Sequence, residues 1–205
     1  MVSHMYPSHV SPQTPLPLSL GVIVGSLRAT SVTRLIAENL VAGAPAGVNA
    51  RFLDIADLPL YNEDLDIEVA DTAPAPWTRF REEVRAADAI LFVTPEYNRS
   101  VPAPLKNAID VGSAPHDQNV FAGLPAAVVS GSPGRMGAFG ANHHLRQSLV
   151  FLDMPTMQQP ELYIGGSYDL FDDNGRLIDP DMTRRFEAYM ERFVAWTTRH
   201  PKNPT

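Results

Sequence analysis

The chain has 205 residues, 44% of them hydrophobic and 19% charged, with 16 basic against 23 acidic side chains and a formal net charge of −7. That balance suits one domain with a real core and opposes a nucleic-acid binder or a protein docked on anionic lipid, both of which present basic surface. With no cysteine, disulfides, thiolate metal sites, thiol nucleophiles and a cysteine-linked flavin are all excluded.

Residues 1–17, "MVSHMYPSHVSPQTPLP", hold four prolines and almost no core-forming pattern, and read as a disordered or extended arm. His4 and His9 read there as solvated side chains, because a metal site needs ligands held rigidly. The arm lacks the charged and apolar regions of a leader, and no apolar run approaches the roughly 18 residues of a membrane span, so the expected location is the cytoplasm.

From residue 18 the chain alternates. "LSLGVIV" (18–24) is a buried strand. Residues 31–44 carry Leu35, Ile36, Leu40 and Val41 at helical spacing before a stop at Gly43. A strand follows over 49–56, a loop by composition over 57–76, and a helix over 77–88 with Trp77, Phe80, Val84 and Ala87 on one face. "AILFVTP" (89–95) is again a strand, "APLKNAIDVG" (103–112) a short helix entered through proline, and "PAAVVSG" (125–131) another strand. A helix over 138–154, a short strand over 161–166 and a helix over 179–200 complete the series. Met182, Phe186, Tyr189, Phe193 and Trp196 form one packing stripe on the last helix. The expectation is one α/β domain over 18–200 with a tail at 201–205. Its five parallel strands are doubly wound, with helices on both faces. Right-handed crossovers then bring the loops after Val24, Val93 and Val129 to one carboxyl edge, where ligands bind in such sheets.

The first loop, "GSLRATSVTR", ends in a fresh helix N-terminus. Ser26, Ser31 and Thr33 offer hydroxyls and Arg28 a charged fork, which together describe an anion cradle with phosphate as the anion. Read alone, Ser31 is equally an ordinary helix cap and Arg28 a solvated charge. The glycine fingerprints of dinucleotide folds and P-loops are absent, so Asp54, at the end of the second strand, is not read as a ribose ligand. The second loop, "TPEYNRSVPAP", is restrained by Pro95 and Pro102. It presents Glu96, Tyr97 and Asn98 as a platform for an aromatic ring system, or else an ordinary turn with Asn98 as local cap. The third, "SGSPGRMGAFGAN", combines Ser130, Ser132 and Arg135 with Gly131, Gly134, Gly137 and Gly140, which permit close backbone approach to a ligand or simply a mobile loop. A phosphate cradle, a platform and a glycine-rich flank on one edge describe a mononucleotide with an aromatic base, and FMN is the natural candidate.

Four motifs in order, "GSLRATSVTRLIA", "LPLYNEDL", "TPEYNRSVPAPLKNAID" and "HHLRQSLVFLDM", resemble the NADPH-dependent FMN reductase family of flavodoxin-like proteins, which includes quinone, chromate and azo-dye reductases; the resemblance covers about residues 18–165. It implies that Ser26, Arg28, Ser31 and Thr33 hold the FMN phosphate. Pro95, Glu96, Tyr97 and Asn98 would border the isoalloxazine, and the loop with Ser130, Gly131, Ser132, Gly134, Arg135 and Gly137 would flank its other side. Two departures are visible: Thr33 stands where the family usually has Asn, and Val111 with Gly112 where it often has an aromatic residue. The implied activity passes a hydride from NADPH (or NADH) through flavin N5 to a small-molecule electron acceptor such as a quinone, chromate, azo dye or free flavin, with ping-pong kinetics and no catalytic side chain. A homodimer or homotetramer is implied too. An electron carrier with the same fold and no small-molecule turnover is the alternative, and a regulator that binds nucleotide without redox chemistry is a third reading.

Glu96 is expected to offer mainly its backbone, because a carboxylate beside the negative charge of reduced flavin would oppose reduction. The "DLFDDNGRLID" stretch has the look of a calcium loop but puts Leu170 at the first ligand position, so no metal is assigned. His143 and His144 are adjacent, fall on different sides of their helix and make a poor metal pair.

Overall fold

The computed structural model describes residues 17–66 and 73–202. The predicted arm, apart from Pro17, lies outside them, as do residues 67–72 of the long loop and 203–205 of the tail. The five strands are β1 (Leu18–Val24), β2 (Val48–Phe52), β3 (Ala89–Thr94), β4 (Ala126–Gly131) and β5 (Leu162–Ile164). All pair in parallel, in the order β2-β1-β3-β4-β5. This is the doubly wound order of flavodoxins, with the change of winding direction between β1 and β3. Every residue of β3 and β4 is buried. Their unbroken apolar runs have that cause, since a parallel strand under helices on both faces has no polar side. β2, at the edge, alternates half-buried and exposed positions over its five residues.

Helices α1 (Val32–Ala42) and α5 (Pro180–Arg199) cover one face; α2 (Ala75–Arg85), α3 (Ala103–Ser113) and α4 (Phe139–Phe151) cover the other. The stripe predicted on the last helix is observed, with Phe186, Tyr189 and Phe193 each 1% exposed. The Tyr189 hydroxyl donates to the Val128 carbonyl at 3.2 Å, and full burial pushes its pKa up. On the opposite face Trp77, Phe80, Phe92 and Phe121 form the bulk of the core. Val111 and Gly112 belong to that core: a Cβ on Gly112 would lie 2.4 Å from the Phe121 ring. The Phe121 ring thus leaves no room for a side chain at position 112, the point of the noted departure.

The predicted elements are found with their ends moved by a few residues. Strand β2 stops at Phe52 rather than running to residue 56: the Leu53 N–H still donates to the Val22 carbonyl at 2.9 Å, and then the Asp54 carboxylate accepts from the Ala56 N–H at 2.9 Å and turns the chain. The long loop is not structureless either. It makes a short 3-10 turn over Glu63–Leu65, and Asn107 of α3 pins it, accepting from Tyr61 N at 2.8 Å and donating to the carbonyls of Leu58 and Pro59. No helix among the described residues is long and apolar enough to cross a membrane.

Candidate functional site

The register places Val24 beside Val93, Val93 beside Val129, and Thr94 beside Ser130. Three adjacent strands thus end level, and their loops leave side by side around the switch between β1 and β3.

Loop one enters α1 through Ser31, whose hydroxyl accepts from Arg34 N at 3.2 Å and exchanges a hydrogen bond with the Thr33 hydroxyl at 2.9 Å. The cap and the cradle are one device here. By capping, Ser31 fixes a helix N-terminus whose next N–H groups, on Val32 and Thr33, have no acceptor inside the helix and point along its axis. Ser31 and Thr33 are buried, Ser26 is half-buried and Arg28 is exposed. The Arg28 guanidinium donates to the Thr30 hydroxyl at 3.3 Å. A hydrogen bond with Tyr168, then the charges of Tyr168 and Tyr97, raise its pKa further above the ordinary arginine value. The donor set is two free backbone N–H groups, three hydroxyls and one permanent cation, with no carboxylate among these groups, and it fits a phosphate ester. A cleft of about 630 Å³ opens on the β2 side of this loop, lined by Ser26, Arg28, Arg34, Phe52 and Asp54. There the Arg34 guanidinium lies 3.8 Å over the Phe52 ring.

Loop two folds into a tight hairpin. Tyr97 and Ser100 exchange both backbone hydrogen bonds, at 3.1 and 3.0 Å, and the two residues between them, Asn98 (φ 52°) and Arg99 (φ 65°), are left-handed. This is a type I′ turn, and it holds Tyr97, 48% exposed, at the rim. Asn tolerates that conformation; for Arg it costs about 1–2 kcal/mol. Arg99→Gly should accordingly raise thermal stability, by less than that penalty because glycine adds about 0.5–1 kcal/mol of chain entropy. A melting temperature lower than the parent's would refute the strain.

The Glu96 carboxylate reaches the start of α4. One carboxylate oxygen accepts from Ala141 N at the start of α4, at 3.1 Å, and the other lies 3.4 Å from the Arg99 guanidinium.

In loop three, Ser132, Gly134 and Arg135 lie at the edge, while Ser130, Gly131 and Gly137 sit behind it, buried. The Ser130 hydroxyl donates to the Gly137 carbonyl at 2.7 Å and accepts from the Asn142 amide at 3.2 Å, so it holds the loop rather than facing outward. Arg146 extends this buried chain, donating to Asn142 at 2.8 Å and to the Met157 carbonyl at 2.9 Å. A Cβ on Gly131 would stand 2.4 Å from Ile36, so its bareness lets α1 settle on β4.

Sequence reasoning missed Tyr168 beside Arg28, Asn142 beneath the glycine-rich loop and Asn107 under the long loop. Asn107 lay in the quoted "KNAID" run and Asn142 closes the quoted third loop, but neither was singled out; Tyr168 lies beyond the quoted motifs. His143 and His144 diverge as adjacent helical positions must. His143 meets the Tyr163 hydroxyl and His144 the Ser100 hydroxyl, each at 3.0 Å. Burial, followed by a hydrogen bond with Glu161, pushes the Tyr163 phenol up to about 12.

Comparison with known proteins agrees with this geometry. Residues 18–169 match the family described as NADPH-dependent FMN reductase. A quinone reductase of Pseudomonas putida is 56% identical over 179 residues, covering 87% of this chain and 94% of its own. An NAD(P)H-dependent FMN reductase of Pseudomonas aeruginosa is 42% identical over 177 residues, 86% of this chain and 94% of its own. Among solved structures, FerB, a flavoenzyme NAD(P)H:(acceptor) oxidoreductase from Paracoccus denitrificans, superposes with a TM-score of 0.83 at 36% identity, covering 90% of this chain and 99% of FerB. A flavodoxin from Pseudomonas aeruginosa superposes at 0.52 with 18% identity over 88% of this chain and 99% of its own, a likeness of fold alone.

Proposed function

The chain belongs to the NADPH-dependent FMN reductase family, and from that premise we propose that it is an FMN-dependent NAD(P)H oxidoreductase acting on quinone-type acceptors. The observation that supports the reading is the level ending of β1, β3 and β4, from which a phosphate-type donor set, a rigid tyrosine platform and a glycine-rich flank would border one crevice. Bound FMN would supply the two-electron chemistry, taking hydride from a nicotinamide and handing it to the acceptor.

The protein's part is to hold, orient and polarise. Arg28, the hydroxyls of Ser26 and Thr33 and the α1 N-terminus would hold the phosphate, while Ser31 fixes that terminus. Pro95, Tyr97 and Asn98 would border the ring on one side, and the backbone of Ser132, Gly134 and Arg135 on the other. The N–H groups of Gly134 and Arg135 would be the donors available to negative charge arising at the ring edge; that of Ser132 is given to the Ile164 carbonyl at 2.9 Å. The Glu96 carboxylate is taken up by the Ala141 N–H of α4, which would keep its charge from the ring edge. If both substrates share one open face of the flavin, donor and acceptor bind in turn, and initial-rate plots should be parallel.

Protein purified with added FMN should be yellow, bleach on anaerobic addition of NADPH and recover its colour with a quinone. Failure to retain FMN would overturn the reading; retention of FMN with no bleaching by NADPH or NADH would turn it toward an electron carrier. Charge-assisted hydrogen bonds contribute about 1.5–3 kcal/mol each. Arg28→Ala should therefore weaken FMN binding by about one to two decades and leave riboflavin, which has no phosphate, almost unaffected. Equal losses for both ligands would remove Arg28 from the phosphate site.

A further inference from the structure

We propose that Glu96 is a positioning residue that clamps the β3–α3 loop to the N-terminus of α4 and so sets the distance between the two walls of the crevice; the inference rests on the FMN reading above. Helix α4 begins without a cap of its own. Its N-cap position is Ala138, left-handed at φ 61°, with no side chain able to accept a hydrogen bond. The acceptor comes instead from 45 residues earlier, where the Glu96 carboxylate takes the Ala141 N–H at 3.1 Å, at the third helical position that cap side chains normally serve. The Glu96 side chain is only 13% exposed. The positive end of the helix dipole and the Arg99 guanidinium both face its charge.

The fit has a steric half as well. A Cβ on Gly140 would lie 2.8 Å from the same Glu96 oxygen and 2.9 Å from the Arg99 carbonyl, so the hairpin rests directly on a bare helical turn. The clamp joins the element carrying Tyr97 and Asn98 to the one that follows Ser132, Gly134 and Arg135. It also ties up a carboxylate whose neighbours in sequence form the platform. A stable domain stays folded after losing one cap, since a single cap is a small part of a domain's stability. A changed ligand affinity in a Glu96 variant therefore reports the shape of the crevice rather than unfolding.

The test is titration of flavin-free protein with FMN and with riboflavin, read by quenching of flavin fluorescence. Glu96→Ala should weaken both ligands by a common factor of about 2–30, the fold-change equivalent of a lost cap. Glu96→Gln, whose amide oxygen still accepts from Ala141 N, should restore most of the affinity for both. Gly140→Ala, which leaves the carboxylate intact and pushes the hairpin off the helix, should mimic Glu96→Ala. Arg28→Ala, by contrast, should affect FMN only. The clamp is overturned if Glu96→Ala binds both flavins like the parent, if its loss is confined to FMN, or if Glu96→Gln is no better than Glu96→Ala. If the parent binds neither flavin, the FMN reading itself falls and the clamp with it.

Discussion

Replacing Asp66 by Ala should lower the free energy of unfolding by about 3–5 kcal/mol, the cost of breaking a buried ion pair from one side. Arg81 donates to both Asp66 oxygens, at 2.9 and 2.6 Å, and through its Nε to the Val111 carbonyl at 2.8 Å. The two side chains are 7% and 4% exposed. Without Asp66, a guanidinium wedged between α2 and α3 keeps its charge and loses its counter-ion. The same carboxylate touches Tyr61, whose phenol pKa is raised by burial first and by Asp66 second. The long loop between β2 and α2 is thus tied to the core from two sides, by Asp66 and by Asn107. Urea unfolding of Asp66→Ala beside an Asp66→Leu/Arg81→Met double variant checks the account. The double variant should recover most of the loss, because an apolar pair of similar volume leaves no charge stranded. A single-variant loss below about 1 kcal/mol would place the pair with ordinary surface ion pairs.

Gly137→Ala should be nearly as damaging. Gly137 sits at φ 56°, where an L side chain costs about 1–2 kcal/mol. Its new Cβ would stand 2.7 Å from Ile164 N and 2.8 Å from the Tyr163 carbonyl carbon. Both are backbone atoms of β5 and cannot swing aside, so overpacking adds about 1–3 kcal/mol. The displaced turn also strains the Ser130 hydrogen bond to the Gly137 carbonyl, and flavin affinity should fall together with stability. Gly134→Ala is the control. Its φ is ordinary, its Cβ would meet only the Ser132 hydroxyl at 3.8 Å, and its effect on stability should stay within about 0.5 kcal/mol. Equal destabilisation by the two substitutions would remove the steric explanation.

These contacts divide what the residue string reveals from what it hides. Hydrophobic periodicity is local, so "AILFVTP" announced a buried strand and the Phe186–Tyr189–Phe193 stripe a packed helix. The alternation of the two kinds of element carried the sheet and the edge where its loops meet. The rim residues were legible for the same reason, since each follows a strand end. The supports beneath them were not. Glu96 reaches Ala141, Ser130 reaches Gly137 and Asn142, and Asp66 reaches Arg81 only after the chain has folded. The hairpin at Asn98 and Arg99 was hidden differently: Asn-Gly is the pair that marks a type I′ turn, and Arg99 adopts the second left-handed position without being glycine. Ser130 shows the converse limit. Its hydroxyl suggested a ligand from sequence alone, and its direction depends on a glycine carbonyl that sequence cannot orient.

The level ending of β1, β3 and β4 also bears on how such a scaffold diversifies. Each loop is slung between anchor points sunk in the least accessible part of the molecule, where side chains at Val24, Val93, Thr94, Val129 and Ser130 are 0–7% exposed. A replacement hairpin of equal span, taken from a relative, inherits the same posts and the same separation between them. The rim can therefore be refitted one segment at a time while the masonry under it stands unchanged.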